Sequence, residues 1–205
     1  MRILQQSFYE RDPREVAINL LGKLLVRILR GNRLSGIIVE TEAYYGKNDP
    51  VSRARKKGKL AEIMYGEAGY TLIYGVHGNW LLNITTYPKG SPGAVLIRAI
   101  EPVEGMDIMK KLRGVDELRA LTNGPGKLTK ALNIKKTENQ IPVFKEKSPI
   151  KIETGMKVNP IDIERNHRIG VRRDLSEPLR FFIKSNPFVS KRKSELNVHK
   201  QSVSL

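Results

Sequence analysis

Apolar residues recur along the chain in two rhythms, one of helical and one of strand period. Pro13–Leu21 carries Val16/Leu20 and Ala17/Leu21 at i, i+4 with proline in the first turn, which predicts a short helix. Leu24–Leu29 and Leu34–Tyr44 read as two strands around a Gly31-Asn32 turn, and Gly69–Thr86 as two strand halves around a Gly75–Asn79 tip. Ala94–Glu101 is a further strand, ended by Pro102. Met106–Leu112, Glu117–Leu121 and Lys127–Leu132 read as helices, the last opened by Gly124-Pro125-Gly126. Pro142–Pro160 is irregular or β-like, and Leu179–Ile183 is a late strand. No repeat or linker divides the chain, so residues 1–190 are expected to form one mixed α/β domain and 191–205 a mobile basic tail.

Composition narrows the chemistry. No cysteine is present, which removes disulfides, thiolate nucleophiles and cysteine-bound metal. The three histidines, His77, His167 and His199, do not stand at helical ligand spacing, so no histidine-bound metal or other cofactor is expected, and only a carboxylate Mg²⁺ site is left open by this count. Apolar runs are strand-length, far short of a membrane span, and the first residues lack a secretory apolar region. An intracellular protein without a membrane partner is therefore expected. Lys and Arg outnumber Asp and Glu by 37 to 21, a net +16 over 205 residues. Such an excess favours a polyanionic partner through counterion release. Five of these cations fall in Arg53–Lys59 without an acid among them.

Two strands hold the candidate chemistry. Alternation along Ile37–Tyr44 sends Ile38, Glu40, Glu42 and Tyr44 to one face and Ile37, Val39, Thr41 and Ala43 to the other. A carboxylate beside an aromatic ring could wall a site that stacks a planar ligand, or the face could simply be wet. In Ala94–Ile100, Arg98 shares a face with Leu96 and Ile100, and a guanidinium among apolar neighbours needs a carboxylate or a phosphate.

Several stretches together resemble the alkyladenine (3-methyladenine) DNA glycosylases. They are Val39–Tyr44, His77–Asn83, Leu96–Pro102, Gly124–Leu128, Arg168–Val171 and Pro178–Phe182, the last followed by Asn186–Ser190, and they occur in the family's order from about Leu20 to Ser190. The resemblance implies an α+β domain with a curved antiparallel sheet, a protruding hairpin and peripheral helices. It implies a monomer acting on double-stranded DNA that contains damaged purines, in the cytoplasm beside the nucleoid of a prokaryote or in a eukaryotic nucleus. The target base would be flipped into a pocket, because its glycosidic bond is out of reach in the stack.

On this resemblance Glu42 activates water for attack on the sugar, and Arg98 orients that water or the carboxylate. Tyr44 and Tyr74 sandwich the base, and Asn83 rejects guanine through its exocyclic amine. His77 stands where a DNA-wedging aromatic is usual, at an exposed tip. Gly126 and Lys127 offer backbone N–H groups and an ammonium to a DNA phosphate. No catalytic-lysine pattern is present, so strand nicking is not expected. A non-catalytic basic nucleic-acid binder of the same fold is the alternative, and it would have no need of Glu42, Tyr44, Arg98 and Asn83 together.

One departure matters. Where the family usually carries a histidine in the base pocket, this chain has Arg53. A guanidinium beside a cationic purine would be repelled, so Arg53 is expected to turn to a phosphate. Activity should then favour cationic methylpurines over neutral lesions such as ethenoadenine or hypoxanthine.

Overall fold

The computed structural model describes residues 1–190; the expected basic tail lies outside the described residues. Helix α1 (Pro13–Leu20) is capped by Asp12, whose side chain accepts from Arg14 N–H, and it buries Val16, Ala17 and Leu20. Eight antiparallel strands form one open sheet: β1 (Leu24–Leu29), β2 (Asn32–Tyr44), β3 (Thr71–Val76), β4 (Asn79–Thr86), β5 (Gly93–Glu104), β6 (Ile150–Glu153), β7 (Ile163–Asn166) and β8 (Arg180–Ile183). Their order is β3-β4-β5-β2-β1-β6. The long strand β2 is the spine. Its first half pairs with β1, and when β1 departs, β8 takes over that edge at Glu40–Glu42 and carries β7 beyond it.

Three further helices flank the sheet: α2 (Lys59–Met64), α3 (Met106–Arg113) and α4 (Pro125–Ala131). One face packs the main core, in which α1 and α4 lie against Ile38, Ala43, Ile84, Ile97 and Ile100. The other face carries two smaller apolar clusters. In one, Ile63 and Met64 of α2 cover Leu72 and Ala94; in the other, Phe188 covers Val39 and Ala99. Between them runs a polar strip. No helix among the described residues is long and apolar enough to cross a membrane.

Several sequence expectations need correction. Helix α2 and strand β7 are absent from the apolar pattern, and Glu117–Leu121 contains only a three-residue 3-10 turn, Leu118–Ala120. The first hairpin turns on Arg30-Gly31, both with positive φ, one residue before the expected Gly31-Asn32. Strand β5 runs through Pro102 to Glu104. Its pairing with β4 has ended by Leu96, so the N–H that proline lacks is not needed there.

The largest correction concerns faces. The β2–β5 ladder pairs Ile38 with Ile100, Glu40 with Ala99 and Thr41 with Ile97, leaving Val39 and Arg98 each unpaired. This pair of bulges breaks the alternation. Ile38 therefore joins the main core with Ala43, and Thr41 donates to the Ala17 carbonyl of α1 at 2.9 Å. Ile100 likewise turns into the core, away from Arg98. Glu40 and Glu42 keep one common face, and the extra residue in β5 aims Arg98 at both of them.

Candidate active site

Glu42 is fully buried at the end of the polar strip. Its Oε1 accepts from the Ile169 N–H at 2.7 Å and faces Arg98 Nη1 at 3.1 Å, and its Oε2 accepts from the Tyr44 hydroxyl at 2.8 Å. All three partners are donors, the complement an acceptor-only carboxylate needs, and they occupy three of its roughly four lone-pair positions. The position left over, on Oε2, receives no hydrogen bond from the described residues.

Arg98 ties Glu42 to a second buried carboxylate. Its Nε donates to Glu40 Oε1 at 2.8 Å, and the same oxygen accepts from Arg180 Nε at 2.6 Å and from the Ser190 hydroxyl at 2.8 Å. Glu40 Oε2 accepts from the Ser190 N–H at 2.8 Å. Burial opposes the charge on Arg98, but Glu42 and Glu40 overcome that and hold its pKa above the ordinary value. Every member of this network is bonded, so it is rigid and its geometry is set before any ligand arrives.

Tyr44 is positioned from behind. Arg168 stacks its guanidinium 4.6 Å from the ring centroid and grips Asp49 through two bonds of 2.6 and 2.8 Å. It also bonds Asp174 at 2.6 Å and the Ala43 carbonyl at 3.0 Å. The same residue thereby fixes the neighbouring Ile169 N–H against Glu42. Burial, reinforced by Glu42, drives the Tyr44 hydroxyl well above its usual pKa, so it stays a donor. The Asp49 carboxyl would be pushed up by burial, but Arg168 and the Tyr45 and Val51 N–H groups outweigh this and hold it below its usual value.

Across the sheet the ladder aligns Asn83 with Leu96 and Leu96 with Glu42. Asn83 and Glu42 thus stand on one face with Leu96 between them, roughly 10 Å apart at two strand spacings. Asn83 donates to the Leu72 carbonyl at 3.1 Å. Tyr74 on β3 joins the same side, where burial raises its hydroxyl pKa against the opposing pull of Arg53 and Asn83. Arg53 lies over the Tyr74 ring, 4.5 Å from its centroid.

The structure thus brings together Glu42, Arg98, Tyr44, Tyr74, Asn83 and Arg53. Three expected residues stand apart. His77 is exposed at the β3–β4 tip, where it and Gly78 both have positive φ in a two-residue turn. Gly126 packs beneath that hairpin, and a Cβ there would meet the Asn79 side chain at 2.8 Å. Lys127 donates to Asn123 Oδ1 at 2.7 Å. Sequence reasoning gave no role to Glu40, Arg168, Arg180, Ser190 or the Ile169 N–H. The available signal was the i, i+2 acid pair Glu40/Glu42 and the arginines inside the quoted stretches. Among the described residues no three His, Asp or Glu side chains gather as a metal site would.

The sequence has counterparts. The family model described as "Methylpurine-DNA glycosylase (MPG)" matches residues 7–187. The chain belongs to this family of DNA glycosylases. Among its relatives, a protein of Aeropyrum pernix is 41% identical over 93% of this chain and 94% of its own. One of Carboxydothermus hydrogenoformans is 42% identical over 93% of this chain and all of its own, and one of Oceanobacillus iheyensis is 38% identical over 92% and 96%. All three carry the name "Putative 3-methyladenine DNA glycosylase".

Proposed function

We propose that this protein excises cationic alkylpurines, 3-methyladenine and 7-methylguanine, from double-stranded DNA by hydrolysing the N-glycosidic bond. The observation that carries the reading is the buried Glu42, with one lone-pair position left open and a donor on each of the others. A water bonded at that position gives its proton to Glu42 as its oxygen attacks the sugar C1′. The C1′–N bond breaks, its electron pair goes to the cationic purine, and the base leaves neutral. The carboxylate also stabilises positive charge developing on the sugar. Arg98, anchored by Glu40, keeps Glu42 from rotating out of line.

The base is flipped into the site and stacks with Tyr44 and Tyr74, while Asn83 crowds the amino group of a guanine. 7-Methylguanine keeps that group, so it leaves more slowly than 3-methyladenine and is excised because its charge makes it a good leaving group. His77 wedges the vacated stack, and Lys127 meets the DNA backbone. Arg53 lies over Tyr74 in the unbound protein. A cation there competes with a cationic base, so a DNA phosphate must draw Arg53 away on binding. Without a neutral histidine in that place, neutral lesions, which need protonation to leave, are excised less well. The protein acts without a metal or lyase step and as a monomer.

The test is release of free base from methylated duplex, wild type beside Glu42→Gln. Loss of release by about 10²–10⁴-fold with DNA binding retained supports the reading. Tight binding by wild type without any release would favour a non-catalytic DNA binder.

A further inference from the structure

A cavity of about 620 Å³ opens at the outer edge of β3 between α2 and the 136–140 segment. Glu42, Tyr44 and Asn83 do not line it, but Tyr74 and Arg53 do, so it adjoins the candidate active site along that ring. Its apolar wall includes Leu60 and Trp80, and its cations are Arg53, Lys59 and Lys136; no acidic residue lines it. Its size lies within the range of sites for small organic ligands.

The backbone edge adds a directional feature. The Thr71 and Ile73 N–H groups point outward from β3 and are taken by the Ile141 carbonyl at 2.9 Å and Asn139 Oδ1 at 2.8 Å. The next outward N–H belongs to Gly75, and among the described residues nothing bonds it. Trp80 sits opposite Gly75, with its ring 3.5 Å from where a Cβ would stand. Glycine at 75 therefore leaves both the strand edge and the indole accessible from the cavity.

We propose that this cavity binds one nucleotide of the DNA outside the excision site. Its base lies against Trp80 and Leu60, and its phosphate meets Lys59, Lys136 and the Gly75 N–H. An apolar floor with an all-cationic rim and an unpaired backbone donor fits a flat ring that carries an anion. A purine with a positive charge would be repelled, so this cavity differs from the excision site in the ligand it takes although the two share Tyr74 and Arg53. The inference rests on the glycosylase reading only in taking DNA as the partner.

Trp80 is the only tryptophan in the chain and lines both this cavity and the groove beneath the His77 hairpin, so the lysine variants assign its fluorescence response to the cavity. The probes are an undamaged duplex, dAMP and inorganic phosphate, added to the full chain. The duplex is expected to quench Trp80, with Lys59→Ala/Lys136→Ala losing most of that quench. The same variant should bind duplex about tenfold more weakly, with the slope of log K against log salt reduced by about one. Lys23→Ala/Lys157→Ala, at a separate groove, serves as the control and should retain the wild-type quench. A full quench in the Lys59/Lys136 variant, or an equal loss in the control, overturns the proposal. Quenching by dAMP at the same concentration as duplex overturns it in favour of a free nucleotide, and quenching by phosphate alone in favour of an anion site. Base release is measured in parallel: a Trp80 response without release keeps the cavity and removes the glycosylase reading, and release without a response does the reverse.

Discussion

The Glu40–Glu42 strip and the β3–β4 tip belong to one sheet but are built on opposite terms. In the strip, the carboxylates and guanidiniums are all but sealed from water and each is held by several partners. At the tip, His77 is exposed, has positive φ and sits in a two-residue turn. A buried network is costly to disturb because the desolvated partner is left behind, whereas an exposed side chain changes at little cost to the fold. On the proposed function, the protein keeps its bond-breaking groups rigid and leaves the DNA-facing groups free to adapt.

The sharpest way to break this contrast is Arg98→Leu. Removing the shared partner of two buried carboxylates should destabilise the protein by about 3–5 kcal/mol. That corresponds to a fall in Tm of about 10 °C by calorimetry for a chain of this length. Arg53→Ala, at the exposed rim, should stay within about 0.5 kcal/mol of wild type. Equal losses would show that the strip is not the stiffer region.

Acid probes the same region from behind the tyrosine. Asp49 is held below its ordinary pKa of 3.8, so its contribution is complete above that pH and lost as the pH falls beneath it. Wild-type Tm should therefore drop more steeply below pH 4 than that of Asp49→Asn, which starts lower. Parallel curves would show that the Arg168 clamp contributes nothing that titrates.

Arg53→His tests the rim, with release of hypoxanthine or ethenoadenine relative to 3-methyladenine rising about tenfold, equivalent to roughly 1.4 kcal/mol. An unchanged ratio would remove Arg53 from lesion choice. The smallest effect is expected from His77→Asn, which suits a turn with positive φ and should leave Tm unchanged or slightly raised. Its base release should fall several-fold on duplex and far less where the target is already unstacked. Equal losses on both substrates would sink the wedge role.

The apolar rhythm revealed α1, β1 and most of β2 and β5, because these elements bury a periodic face. It missed α2, whose Lys59–Met64 is short and lies among cations, and β7, whose Ile163–Asn166 is mostly exposed. Glu42, Tyr44 and Arg98 were marked by their residue types and by the resemblance. Glu40, Arg180 and Ser190 were not, since their roles depend on β8 and the 186–190 segment folding back over β2, which no local pattern encodes. Two-residue alternation also cannot register a bulge, so it placed Ile38 and Ile100 on the wrong face.

The paired bulges at Val39 and Arg98 also constrain how this chain can change length. Losing one residue between Ile38 and Thr41 would leave both on the core face, because Val39 and Glu40 together occupy the opposite one. The loss would fall on that opposite face, removing either Glu40 with its four donors or the Val39 that packs against Ala99 and Phe188. Drift by insertion or deletion is therefore closed along this stretch, while the turns at Arg30-Gly31 and His77-Gly78 can be lengthened without moving a single group of the strip.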